Sequence, residues 1–155
     1  MKKLNPKWVE FALMVINNGP YFRNQNMKVT DLKYGESFLE VDIKRKHLQS
    51  YGWVHGGVYA ALIDGTGFFA VLSQIEDDNS GATVEMKVNY LSSVKSGKLF
   101  AHGRCIKLAK SIGLAEATVK NEEGDILAHG TVTVMVKPPL MFSGVENLPP
   151  KFIED

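Results

Sequence analysis

One carboxylate stands inside an otherwise uncharged, mostly apolar run. From Gly56 to Leu72 the chain reads Gly-Gly-Val-Tyr-Ala-Ala-Leu-Ile-Asp-Gly-Thr-Gly-Phe-Phe-Ala-Val-Leu, and Asp64 is the one charged residue in it. A carboxylate there suits one of two tasks, taking a proton from water or attacking a carbonyl itself. The competing reading is a structurally paired buried acid. His55, Gly56 and Gly57 open the run. Backbone N–H groups in a helix's first turn lack intrahelical partners, and the helix dipole favours negative charge at that end. Glycines leave the end open to a ligand. Such an end can polarise a carbonyl and hold the oxyanion that forms when it is attacked.

Distance constrains how these groups cooperate. Asp64 lies seven residues beyond Gly57, which is roughly 10 Å along a helix axis. One carbonyl group cannot sit within about 3 Å of both. If both act on one substrate, a second chain supplies one of them. The site then lies between two antiparallel copies of this helix.

The surrounding elements must position that helix. Its apolar residues fall on every side, which predicts a buried helix from the glycines to about Ser73. Pro6 to Ile16 has helical spacing at Val9, Ala12, Leu13 and Ile16, with Asn5 as its start and Asn17-Asn18-Gly19-Pro20 as its end. Met27–Tyr34 and Ser37–Lys44 read as a hairpin, the second strand with Leu39, Val41 and Ile43 on one face. Four more strands are expected at Ala82–Leu91, Lys98–Leu108, Ser111–Lys120 and Ile126–Val136. Lys137-Pro138-Pro139 stops the last one. Runs of strands beside a segregated helix predict an α+β fold, with one antiparallel sheet curled around the helix and a second copy closing the open side. The whole chain, 1–155, reads as a single domain, with an N-terminal helical segment at 1–20 and an irregular Pro-rich tail at 137–155.

Composition narrows the classes. A net charge of +1 gives no reason to expect nucleic acid as a partner. One cysteine rules out an intramolecular disulfide and fits a reducing compartment. Neither a signal peptide nor a membrane span is expected, since Pro6, Trp8 and Glu10 interrupt the start and His55, Asp64 and several glycines interrupt the long helix. The expectation is a soluble cytoplasmic protein. One Cys and four scattered His have no zinc spacing, so no metal is expected. Cys105 reads as packing, His102 and His129 as surface or packing residues, and His47 as uninformative. Trp53, Tyr59, Phe68 and Phe69 read as core or interface, some of them able to line an acyl pocket.

Several spaced motifs agree in order. Gly52-Trp53-Val54-His55-Gly56-Gly57 is followed by Ala61-Leu62-x-Asp64, then Gly81-Ala82-Thr83-Val84-Glu85-Met86-Lys87-Val88-Asn89-Tyr90-Leu91, then Gly97-x-Leu99-x-Ala101 and Gly124-x-Ile126-Leu127-Ala128-x-Gly130-Thr131. Over roughly 28–136 the chain resembles the PaaI-like hotdog-fold acyl-CoA thioesterases. The resemblance implies a long central helix wrapped by a curved antiparallel sheet, here with an extra N-terminal helix. It implies a homodimer or dimer of dimers that hydrolyses an acyl-CoA thioester to a free acid and coenzyme A. No separate cofactor is implied, because coenzyme A is part of the substrate. Asp64 becomes nucleophile or general base, and the Gly57 N–H of the neighbouring copy the oxyanion donor. His55 orients the thioester or its loop. Gln49, six positions before His55, positions water or carbonyl, and Thr83 bonds near the carboxylate. Lys110 and Ser111 become candidates for the coenzyme A nucleotide.

Thr83 shares strand parity with Glu85 and Lys87, not with the apolar face. It reaches the site only if the strand begins with a bulge or twist. The alternative from another class is a non-catalytic acyl-CoA or fatty-acid sensor on the same fold. A hydratase-type hotdog resembles a pattern with His five residues after the Asp; Phe69 stands there instead. A substrate carried on acyl carrier protein stays open, as does the acyl chain.

Overall fold

The structure is a computed structural model, and it describes residues 2–139 and 147–154. Strand β1 (Lys3–Leu4) leads into helices α1 (Pro6–Asn17) and α2 (Pro20–Gln25). Strands β2 (Met27–Lys33) and β3 (Glu36–Asp42) form the expected hairpin, and a 3-10 turn (Arg45–His47) follows. The long helix is α3 (Gly56–Leu72). Strands β4 (Ser80–Tyr90), β5 (Lys98–Leu108), β6 (Ile112–Lys120) and β7 (Ile126–Lys137) come next, and β8 (Phe152–Ile153) pairs back onto β1.

Local chemistry explains the ends. Asn5 caps α1 by accepting the Lys7 N–H, and Pro6 takes the first helical position, where a missing N–H costs nothing. Helix α2 lies between the stop at Asn17-Asn18-Gly19-Pro20 and the strand from Met27, where no element is expected from the sequence. It begins at Pro20 and ends at Asn26 in the left-handed conformation, φ 54°. Six residues are too few to show a hydrophobic period.

Six antiparallel strands form one sheet in the order β2-β3-β5-β6-β7-β4. The chain leaves β3, crosses the concave face as α3, and returns as β4 at the far edge. This is the hotdog fold. Alternate residues face the helix: Leu39 and Val41 on β3, Leu99 and Ala101 on β5, Ala115, Ala117 and Val119 on β6, Val132 and Val134 on β7, all buried. Many are small, which lets α3 lie close to the strands. At Gly103 a side chain would collide with the Thr66 carbonyl of α3. Register shifts in β2, β4 and β5 mark irregularities of the bulge type, which bend and twist strands.

The sheet buries most of α3. Leu62, Ile63, Ala70 and Val71 are completely enclosed, and full burial of each large side chain contributes about 1.5–3 kcal/mol. One stripe is less covered: Ala60, Ala61, Asp64, Gly65, Phe68 and Leu72. These recur at i, i+4 and i+8, so they share a face.

The tail departs from the irregular segment expected at 137–155. Part of it, 140–146, lies outside the described residues; beyond that, β8 is a strand. Lys151 is buried beside it. Its Nζ donates to the carbonyl of Leu72, the last residue of α3, and to that of Ile75 just beyond it (2.6 Å to Ile75), and lies 5.1 Å from the Trp8 ring centroid. The Lys151 N–H donates to Asp77 at 3.1 Å.

Burial lowers the Lys151 pKa to about 8 from 10.5, with Asp77 and Glu76 opposing the shift. Between those two values the unfolded chain holds a proton that the folded protein has released. Stability from this residue therefore rises with pH across that window. Urea unfolding of the protein and of Lys151→Met tests the sign. Their stability difference should shift in favour of the native lysine from pH 8 toward 10.5, by on the order of 3 kcal/mol in total. A pH-independent difference would rule out a depressed Lys151.

Candidate active site

The start of α3 is organised by His55. It takes the N-cap position with extended backbone, φ −62° and ψ 136°, and its Nδ1 accepts the Gly57 N–H at 2.8 Å. The ring proton is therefore assigned to Nε2. The Val58 N–H donates to the His55 carbonyl at 2.9 Å. Among the described residues, the Gly56 N–H has no partner. This corrects the reading that made Gly57 the open donor. An N-cap side chain reaches the second or third helical N–H, and Gly57 is the second. The donor left open is one residue earlier, at Gly56. A Cβ at Gly56 would sit 3.1 Å from the Tyr90 ring, and one at Gly57 2.9 Å from His55 Nδ1.

Two residues hold the loop that delivers this end. Gln49 accepts the Tyr51 N–H through its side-chain oxygen, and its own N–H donates to the Trp53 carbonyl at 2.8 Å. Within one chain, then, Gln49 braces a turn and does not line the cavity beside Asp64. His47, which carried no signal in the sequence, is buried. Its Nδ1 accepts the Lys44 N–H at 2.9 Å, and its Nε2 donates to the Gln25 carbonyl at 2.7 Å. Its carbonyl accepts the His55 N–H at 2.9 Å. His47 thus ties the start of α3 to the end of α2.

Asp64 lies on the less covered stripe of α3. Its Oδ1 is buried and has no hydrogen-bond partner among the described residues. Buried polar atoms are normally bonded, so an orphaned carboxylate oxygen calls for a functional reason. It borders a cavity of about 320 Å³ walled by Tyr21, Phe22, Phe68, Phe69 and Met86. His55 and Gly57 border a different cavity, about 200 Å³, together with His47 and Tyr21. One chain therefore does not bring the helix start and the carboxylate into a single site, as the spacing along α3 requires.

Thr83 meets the condition set by its parity. In the β4–β7 register Thr83 lies opposite Val134 and Glu85 opposite Thr133, so Val84 is an inserted residue. Val134 faces the core, and Thr83 shares its face. Below the bulge Met86 and Tyr90 face the helix; Met86 borders the Asp64 cavity. Lys110 and Ser111 are exposed in the turn between β5 and β6. The next residues pack beside Val71, so within one chain this turn is at the opposite end of α3 from His55. His102 and His129 are paired with Glu36 and Glu116 at 2.6 and 3.4 Å. Cys105 is half-buried, and burial raises its thiol pKa, which suits packing. Among the described residues no group of His, Cys, Asp and Glu could hold a metal ion, and no helix is long and apolar enough to cross a membrane.

The cap can be tested apart from any chemistry. His55→Ala should lower stability by about 1 kcal/mol in chemical denaturation, and His55→Asn, a residue that also caps, should recover most of it. Equal stability of all three would mean that the imidazole bond to Gly57 does not stabilise α3.

The thioesterase superfamily profile matches residues 51–128, half of the chain. The 1,4-dihydroxy-2-naphthoyl-CoA hydrolase of Listeria monocytogenes is 24% identical over 72% of this chain and 90% of its own. Human acyl-coenzyme A thioesterase 13 is 27% identical over 64% of this chain and 71% of its own. The crystal structure of a Haemophilus influenzae thioesterase superposes with a TM-score of 0.78 at 20% identity, over 87% of this chain and 94% of that one, which speaks to the fold.

Proposed function

The chain belongs to the thioesterase superfamily, and from that premise we propose that it hydrolyses an acyl-CoA thioester to a carboxylic acid and free coenzyme A, at a site shared by two copies. The carrying observation is the orphaned Oδ1 of Asp64, facing a cavity on the one stripe of α3 that the sheet leaves less covered. The complementary group, an open N–H at Gly56, sits eight residues away, roughly 12 Å along the axis. Antiparallel pairing of two α3 helices brings one copy's donor to the other's carboxylate.

Strand β4 supports the pairing. It is an edge strand of eleven residues, and Val84, Met86, Tyr90 and Leu91 are exposed on or beside it. A long apolar edge invites a further strand. A second copy adding there extends the sheet and covers the open stripe of α3.

In the reaction the thioester carbonyl oxygen accepts the Gly56 N–H, with the Gly57 N–H held in line by His55. The helix end stabilises the oxyanion as charge develops. Asp64 either removes the proton from an attacking water or attacks the carbon to give an anhydride that water opens. Thr83 bonds near the carboxylate, and Gln49 fixes the loop behind the donor. The carbon–sulfur bond breaks and coenzyme A leaves as its thiol. Lys110 and Ser111 serve the coenzyme A nucleotide from the partner subunit, whose α3 C-terminal end lies near this copy's helix start in an antiparallel pair. The coenzyme A hydrolases among the relatives support that substrate class.

Thiol release from acyl-CoA esters tests the chemistry. Asp64→Asn should lose at least about a hundredfold in turnover. Refolding a mixture of Asp64→Asn and Gly56→Val chains tests the sharing. Half of randomly formed dimers are hybrids, and each hybrid holds one intact site, so about a quarter of native activity should return. Near-normal turnover of Asp64→Asn removes it from the mechanism. No recovery on mixing confines the site to one chain. Tight binding without turnover by the native protein would mark a sensor.

A further inference from the structure

The peptide plane that carries the open Gly56 N–H is anchored on two sides. Its carbonyl, that of His55, accepts the Val58 N–H at 2.9 Å. The plane before it carries the His55 N–H, which donates to the His47 carbonyl at 2.9 Å. Peptide units are planar, so only the φ and ψ of His55 lie between the two anchors. Where the open N–H points therefore depends on where His47 is held.

His47 and His55 close the base of a small hairpin. Leu48 bridges Val54, and the Gln49 N–H donates to the Trp53 carbonyl at 2.8 Å. The tip is in solvent: Tyr51 is 86% exposed, and Gly52 turns the chain with φ 84°. The base is enclosed: His47 is 1% exposed. A lone two-stranded hairpin holds its shape poorly in water, so the base must be fixed from outside. The His47 ring does this. Its Nδ1 accepts the Lys44 N–H at 2.9 Å, and its Nε2 donates to the Gln25 carbonyl at 2.7 Å. Gln25 ends α2, where carbonyls lack intrahelical partners. The Lys46 Nζ donates to the preceding carbonyl, that of Asn24.

Helix α2 is in turn seated on α3. A Cβ at Gly65 would lie 3.2 Å from the Phe22 ring, and Phe22 is 6.0 Å from Phe69 between ring centroids. The His47 ring is therefore a joint between the start of α3 and an element packed on the middle of the same helix, next to Asp64. Both ring nitrogens are taken by backbone groups, so the ring has none left to hold or move a substrate proton. Its contribution is geometric.

We infer that His47 is a positioning residue: through the His55 N–H it fixes the direction of the Gly56 N–H against the thioester carbonyl. This rests on the reading of the Gly56 N–H as the oxyanion donor. A donor displaced by about 1 Å still leaves room for substrate, yet can lose about a hundredfold in rate. The effect therefore falls on kcat and spares KM.

Two variants each keep one half of the joint. In His47→Asn the amide oxygen can stand in for Nδ1 and accept the Lys44 N–H. In His47→Gln the amide nitrogen can stand in for Nε2 and donate to the Gln25 carbonyl. Turnover is measured with octanoyl- and benzoyl-CoA per folded molecule, the folded fraction being taken from near-UV circular dichroism. His47→Ala should lose at least about tenfold in kcat, with KM changed by less than about twofold, and Asn and Gln should each recover part of that loss. If His47→Ala does not fold, the Asn and Gln variants should still fall several-fold below the native kcat. Hydrogen exchange supplies a readout apart from activity. The His55 and Gly57 amides should exchange at least about tenfold faster in the variants, with the amides of β6 unchanged. Native kcat in all three variants, losses that neither Asn nor Gln reduces, or exchange that rises equally in β6 overturns the inference. Faster exchange confined to His55 and Gly57, with no turnover of any ester by the native protein, keeps His47 as the anchor of the helix start and removes the thioesterase reading.

Discussion

A helix that is apolar on every side has to be covered on every side, and α3 is such a helix. The sheet's answer is curvature. Strands of alternating residues bend around the helix, irregular in register at several places, and small residues under α3 let it approach closely. Six strands still leave the stripe of Ala60, Ala61, Asp64, Gly65, Phe68 and Leu72 less covered. The same stripe holds the one charged side chain of the helix. The unfinished cover and the carboxylate therefore lie on one face.

The helix start shows how structure and chemistry share a set of donors. Four N–H groups begin any α-helix without partners. Here His55 takes the second and its carbonyl accepts the Val58 N–H, the third, while Gly56 leaves the first open. A cap that satisfied all of them would stabilise α3 further and leave no N–H at that end open to a ligand. The loop behind it is held by bonds between the side chains of His47 and Gln49 and neighbouring backbone groups.

Segments outside the matched region do specific work on the core. Helix α2 supplies two of the rings around Asp64, and the Lys151 ammonium caps the other end of α3 from within the tail. The wall beside Asp64 and the C-terminal end of α3 are thus set by residues of low sequence signal. A six-residue helix shows no period, and a lysine beside two prolines reads as surface. Tertiary packing buries it against Trp8 and the helix carbonyls.

The sequence by itself determined the helix, the strands and the α+β class, and the resemblance carried by its spaced motifs implied the hotdog. The elements rest on a local period or a local stop signal: full-circle apolarity in α3, alternation in Leu39-x-Val41, Asn5-Pro6 before α1. It also determined that Gly57 and Asp64 cannot serve one carbonyl from one helix, because the rise per residue is constant. Parity alone placed a condition on Thr83, and only the β4–β7 register could meet it, through the extra residue Val84. The tertiary structure decided which N–H at the helix start stays open, because that depends on how far the His55 ring reaches. It decided where Gln49 and the Lys110–Ser111 turn lie within one chain. It brought Phe22 to Gly65 across more than forty residues of chain. Such contacts between distant segments leave no periodic trace in sequence, since they are set by how the sheet curls and what it leaves uncovered.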